Sequence, residues 1–336
     1  MSRLRDLPLS VLDLAPVTTA TDARTALGHT RELARHAEAL GYTRFWLAEH
    51  HNMPGIASSS PTILIADVAA ATSTIKVGSG GVMLPNHPAL VVAEQFGTLT
   101  ALHPGRIDLG IGRAPGTDPQ TARALRRTAG PLSADDFPQQ LQELRGYFEG
   151  TETLNAVPAH GNKPAVWLLG SSGYSAQVAG VLGLPFAFAH HFSSENTIPA
   201  LQLYRQRFTP SEVLSEPYAM VCAAVIAADT DDHARWIAGP QALSFLKLRA
   251  GTPGPLTTPQ EAADYPYSDL ERLIVEDRLS SQVIGAPDTV AKSLEDLLTR
   301  TAADELMVTT MVADQKDRLR SYEILADLAA LPTSAG

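Results

Sequence analysis

The chain has 336 residues, 44% of them hydrophobic and 18% charged, with a formal net charge of −10. That length and composition supply a large core and exclude an intrinsically disordered chain. The acidic balance, with lysine and arginine scattered instead of clustered, gives no basic field for a phosphate backbone and argues against a nucleic-acid partner.

The single cysteine, Cys222, lies in the apolar run Tyr218 to Ala228. It reads as a small buried hydrophobe, and no intrachain disulfide can form. No segment reaches the roughly 18 apolar residues of a membrane span, so the expectation is a cytoplasmic protein with no membrane partner. In chain order, Leu9 to Leu14 reads as a first strand. Asp22 to Leu40 follows as a helix that begins at a Thr21 or Asp22 cap and stops at Gly41. Tyr42 to Ala48 is a second strand, Pro61 to Ser73 a helix with proline in its first turn, and Ile75 to Leu84 a third strand with a glycine-rich interior. Pro88 to Leu102 is the next helix and Arg106 to Gly112 the fourth strand. A polar stretch from Arg113 to Pro131 reads as a long loop before a helix over Asp135 to Gly150. Val166 to Gly170, Phe186 to His190, Tyr218 to Ala228 and Glu305 to Met311 supply four more strands, with helices starting near Ser172, Glu195, Asp231 and Pro287. This alternation predicts an α/β fold, a TIM-like (β/α)8 barrel forming a single domain over residues 1–336. Thr252 to Tyr267 fits neither period and reads as an insertion between the seventh and eighth strands, a candidate lid.

In such a barrel the chemistry collects at the C-terminal ends of the strands. There the sequence places Glu49-His50-His51, Ser79, Arg113, Gly170-Ser171-Ser172 and His190-His191. Gly170 to Ser175 leads from an apolar strand into a helix, so its free N–H groups and hydroxyls suit an anion, with Arg113 as the complementary cation. Gly110-Ile111-Gly112-Arg113-Ala114-Pro115-Gly116 has the wrong spacing for a dinucleotide fingerprint. Adjacent strand residues face opposite sides, so Glu49, His50 and His51 converge on one ion only if the strand ends in a turn, and no metal is expected. His50 suits proton management at a reactive oxygen species, because imidazole titrates near neutrality.

These segments resemble the bacterial luciferase-like flavin-dependent monooxygenases. Phe45 to His51 is similar to that family's second strand, Val77 to Pro88 to its third and Gly105 to Arg113 to its fourth. The resemblance implies catalytic His50 supported by Glu49, a non-prolyl cis peptide at Ser79-Gly80 beneath the flavin ring, and a phosphate site at Arg113, Ser172 and Ser175. Gly170, Ser171 and His190 complete the implied cofactor pocket. Ser171 stands where luciferase has glutamate, and His190 where it has tryptophan, which puts luminescence in doubt. Within the family the likeness points to the oxygenases of actinobacterial aromatic polyketide biosynthesis, such as the mensacarcin pathway. The implied reaction uses reduced FMN, from a separate NAD(P)H:flavin reductase, and O2 to hydroxylate or epoxidise a small organic substrate, in a homodimer. F420-dependent hydride transfer on the same fold, a non-catalytic flavin-binding protein and a metal-dependent barrel hydrolase are the rival readings.

Overall fold

The structure is a computed structural model that describes residues 3–5, 7–114, 118–126 and 136–332. Eight parallel strands close on themselves: β1 (Leu9–Asp13), β2 (Arg44–Leu47), β3 (Lys76–Met83), β4 (Ile107–Gly112), β5 (Ala165–Gly170), β6 (Phe186–Phe188), β7 (Ala219–Ala227) and, after one more short strand, β9 (Glu305–Thr309). β9 pairs with both β7 and β1, and β6 with β7, which completes the barrel. The extra strand β8 (Val283–Gly285) lies outside the ring and pairs only along the end of β7.

Side-chain alternation explains why these runs form a barrel wall. One set of residues, including Leu9, Val11, Phe45, Leu47, Val77, Leu109, Val166 and Val221, packs into a continuous core against the surrounding helices. The alternate set, Leu12, Trp46, Ala48, Trp167, Ala187, Met220, Cys222 and Met307, forms a second, separate cluster that fills the interior. The helices α1 (Ala23–Ala39), α2 (Pro61–Ala71) and α3 (Ala89–Leu102) follow the first three strands. α1 buries Ala26, Thr30, Leu33, Ala34 and Ala37, spaced by three or four residues, and Asp22 caps it by accepting from the Thr25 N–H at 2.8 Å. It ends before Gly41, whose φ of +83° and 2.2 Å clearance from the Pro332 carbonyl to an added Cβ admit only glycine.

At the N-terminal end, the interior turns polar. Arg44 donates from Nε to Glu305 at 2.8 Å and from Nη1 to Asp108 at 2.9 Å, and its guanidinium lies 4.6 Å from the centre of the Trp167 ring. Trp46 Nε1 donates to Asp108, Tyr218 and Ser10 hydroxyls donate to Glu305, and Trp167 meets both Trp46 and Tyr218 edge-on. All of these partners except Tyr218 are buried. The network plugs the base of the barrel and leaves the opposite end for chemistry.

Three sequence expectations need correction. The polar stretch after β4, read as loop, contains the helix α4 (Pro119–Arg126); residues 115–117 and 127–135 lie outside the described residues. The helix expected from Asp135 is α5 (Phe137–Glu149). After β5, β6 and β7 come α6 (Gly173–Leu182), α7 (Thr197–Arg207) and α8 (Asp231–Arg249). Within Thr252 to Tyr267 the chain forms one short helix, α9 (Pro259–Ala263), and is otherwise irregular; α10 (Asp269–Ser280) follows it, and each helix opens with a capping box, Thr258 with Glu261 and Ser268 with Glu271. α11 (Pro287–Thr301) and α12 (Gln315–Ala329) finish the outer layer.

Candidate active site

Beyond β2 the chain keeps its alternation for a few residues, so Ala48 and His50 continue the inward set of Arg44 and Trp46, while Glu49 joins the outward one. Glu49 is fully buried between the ends of β2 and β3. His51 Nε2 donates to its Oε1 at 2.9 Å, His87 Nε2 donates to the same oxygen at 2.8 Å, and the Met83 N–H donates to Oε2 at 3.0 Å. Burial pushes the Glu49 pKa up, but these hydrogen bonds and the nearby His87 outweigh it and bring the carboxyl below its ordinary value. The carboxylate therefore ties the two strand exits together.

His50 is placed differently. Its N–H holds the Ser58 carbonyl at 2.9 Å, which fixes the backbone, while Nδ1 is buried without a hydrogen-bond partner. Burial lowers its pKa, Glu49 opposes that shift and His51 adds to it, and the net shift favours the neutral ring. A buried imidazole nitrogen with no partner costs energy unless a ligand or water meets it. His50 thus presents a proton-handling atom inside the barrel mouth.

The floor beside it is built from glycine. A Cβ on Gly80 would sit 2.6 Å from Leu12 Cδ1 and 3.2 Å from Trp46 Cβ, and one on Gly81 would sit 2.8 Å from the Gly110 carbonyl. The cis peptide is Gly80-Gly81, one residue later than the resemblance implied. Ser79 is still in the ladder, opposite Leu47 and Leu109, with its buried hydroxyl donating to the Gly110 carbonyl at 2.9 Å. The pairing shifts register only between Ser79 and Val82, and a cis bond, which draws its flanking Cα atoms to about 2.9 Å, fits there between two residues without Cβ. Ser79 accordingly belongs to the wall, and Gly80 to the floor.

At the β5 exit, a Cβ on Gly170 would fall 2.9 Å from Ser175 Oγ, so the missing side chain lets α6 begin close to the strand end. Ser172 occupies the N-cap of α6 with extended backbone, but its hydroxyl makes no capping bond, which keeps it and the first N–H groups available. Ser171 is half-buried, Ser172 exposed and Ser175 buried. The Arg113 guanidinium lies 4.2 Å from the centre of the Tyr174 ring, which parks its charge beside this helix start. A helix N-terminus, serine hydroxyls and a cation in one place have the chemistry to hold an anion.

Past β6, His190 Nδ1 lies 2.7 Å from Thr197 Oγ1 at the start of α7, and burial lowers its pKa. His191 donates from both its backbone N–H and Nδ1 to the Cys222 carbonyl, at 2.9 and 3.1 Å. Burial pushes His191 down to about 4, with the charges of Arg278, His190 and His50 contributing. His50 at the β2 exit and His191 at the β6 exit are therefore close enough for each to oppose protonation of the other.

Three participants were missed as site residues. His87 stood inside a recognised motif but was given no role; His191 was named only as a strand-end residue. Arg278 lies on α10, whose Ser268-x-x-Glu271 capping box was a readable helix signal. Among the described residues no three His, Cys, Asp or Glu side chains are grouped to hold a metal ion, and no helix is long and apolar enough to cross a membrane.

The family model for luciferase-like monooxygenases matches residues 7–305. The chain is 52% identical over 328 residues to the uncharacterized protein YvbT of Bacillus subtilis (96% of this chain, 97% of that protein). It is 48% identical over 328 residues, with the same coverage, to a luciferase-like monooxygenase of Escherichia coli K12. Among solved structures, apo-MsnO8 is 39% identical, with a TM-score of 0.90, covering 98% of this chain and 100% of that one. More distant structures share the fold alone. They include the oxygenating constituent of 3,6-diketocamphane monooxygenase in complex with FMN (20% identity, TM-score 0.73, 96% and 99% coverage) and an F420-dependent secondary alcohol dehydrogenase (14%, 0.63, 96% and 99%). The barrel topology, the strand-end pocket and these matches together make the chain a member of the luciferase-like monooxygenase family, and so an oxidoreductase.

Proposed function

We propose that this chain uses reduced FMN and O2 to insert one oxygen atom into a small organic substrate, by hydroxylation or epoxidation. The observation that carries the reading is the buried, unpartnered His50 Nδ1 beside the glycine floor. In this reading the flat ring lies over Gly80 and Gly81, whose lack of Cβ lets the strand pack directly against Leu12, Trp46 and the Gly110 carbonyl. Gly170, Ser171, Ser172 and Ser175 with Arg113 have the donors and charge for a phosphate. His190, held by Thr197, closes that side of the pocket.

When bound, reduced FMN supplies the two electrons that activate O2, one oxygen going to the substrate and the other leaving as water. The protein's own part is proton and water control. His50 holds or releases a proton at Nδ1, Glu49 positions the strand exits through His51, His87 and Met83, and Leu14 and Leu169, packed on the interior cluster, keep water out. In this reading a separate NAD(P)H:flavin reductase supplies the reduced flavin. The same reading takes residues 1–336 as one catalytic unit in the cytoplasm. Exposed Ile63 on α2 and Leu102 on α3, 69% and 67% accessible, support pairing of these helices in a homodimer.

Substitution of His50 by alanine tests the assignment. FMN affinity, followed by flavin fluorescence, is expected to stay within about threefold, while oxygenation falls by about 10²-fold or more, the contribution of a proton-transfer group. Unchanged turnover would refute the role of His50. Parallel titration with F420 separates the hydride-transfer reading, which requires tight deazaflavin binding and no oxygen consumption.

A further inference from the structure

Helix α10 reaches the barrel mouth through one guanidinium. Arg278 lies in its last turn; Nη1 donates to the His191 carbonyl at 3.2 Å, and the guanidinium carbon is 4.8 Å from the centre of the Phe245 ring on α8. Its Nε is buried and makes no hydrogen bond. None of the ion pairs among the described residues includes Arg278. Burial pulls its pKa below the ordinary arginine value. One turn earlier than Phe245 on α8, Gln241 Oε1 is likewise buried without a partner.

A half-buried cation with no counter-ion is costly, and an added carboxylate relieves that cost through charge-assisted, often bidentate hydrogen bonds. The position is informative. Arg278 grips His191, His191 hangs from Cys222 of the interior cluster, and His50 is near enough to His191 to oppose its protonation. Arg278 and His50 thus both lie near His191, beside an interior cluster against which the apolar Leu14 and Leu169 pack.

We propose that Arg278 binds the carboxylate of the substrate, so that the chain oxygenates small organic acids whose apolar body lies between Arg278 and His50. The oxygenation half of this statement rests on the flavin reading; the acid-binding half does not. A merely structural Arg278 would pin α10 to the β6 exit and give no preference for acids over their neutral analogues.

The test is calorimetric titration of the full chain, with and without FMN, using 4-phenylbutanoate and 4-phenylbutanamide. The acid is expected to bind about tenfold tighter than the amide or better, the equivalent of one charged hydrogen bond. Arg278→Gln should abolish that preference and Arg278→Lys retain part of it, which guards against loss of α10 as the explanation. Equal binding of acid and amide, failure of both to bind, or an acid preference that survives in Arg278→Gln overturns the proposal. So does a loss of FMN affinity in Arg278→Gln, which would assign the guanidinium to the cofactor. Acid preference in a chain that fails to bind FMN would support the acid site and sink the flavin reading instead.

Discussion

Replacing Glu49 by glutamine removes a charge while keeping the shape, and the structure sets how much should be lost. The amide oxygen can still accept from His51 and His87, the two contacts now made to Oε1 at 2.9 and 2.8 Å. The amide nitrogen then faces the Met83 N–H, which now donates to Oε2 at 3.0 Å. One hydrogen bond to a charged group disappears, worth about 1.5–3 kcal/mol, and two buried donors are left opposed. A loss near 3 kcal/mol is expected by urea denaturation at pH 7. The effect depends on pH. The folded-state pKa of Glu49 lies below its ordinary value of 4.5, so its stabilisation is present above that value and is lost as pH falls through the lower, folded-state pKa. The two proteins should therefore converge in stability on acidification. His50 supplies a second readout: the Glu49 charge raises its pKa against burial, so Glu49→Gln should move any His50-dependent limb of the pH–rate profile to lower pH. A loss below about 1 kcal/mol that does not vary with pH would refute the view that this carboxylate ties β2 to β3.

At the barrel base, Arg44→Met strips the shared cation from Glu305 and Asp108, and a loss of about 3–5 kcal/mol is expected by chemical denaturation, as for other broken buried ion pairs. A change under about 1 kcal/mol would mean that the two carboxylates find other partners. On the outer face, Ile63→Asp with Leu102→Asp places charge on the exposed apolar positions of α2 and α3. Light scattering should show the proposed dimer giving way to monomer at micromolar concentration; an unchanged mass would refute this interface.

What the sequence revealed, and what it hid, follows from the range over which each feature is encoded. The barrel was legible because every strand repeats the same local rule, one face toward the helices and one toward the interior, as Val11 and Leu12 or Phe45 and Trp46 do. The strand-end residues were legible for the same reason: His50 and the Gly170 to Ser175 turn follow directly from where their strands stop. The base network was not legible, since Ser10, Arg44, Asp108, Tyr218 and Glu305 come from five separate segments and each, alone, is one polar residue near a strand start. Nor could spacing alone give the division of labour between Glu49 and His50. Alternation says that neighbours face opposite sides, but only the folded register shows that β3 arrives on the Glu49 side with His87 and the Met83 N–H, leaving His50 to the pocket. Arg278 was hidden by composition: the Pro-, Gly- and Thr-rich stretch before it suggested irregular chain, although two capping boxes between Thr258 and Glu271 marked helix starts. With Arg278 in its proposed role, conserving those caps while changing the face they present is a low-cost way to alter the substrate, because α10 buries no residue fully and its side chains are free to vary without disturbing the barrel core.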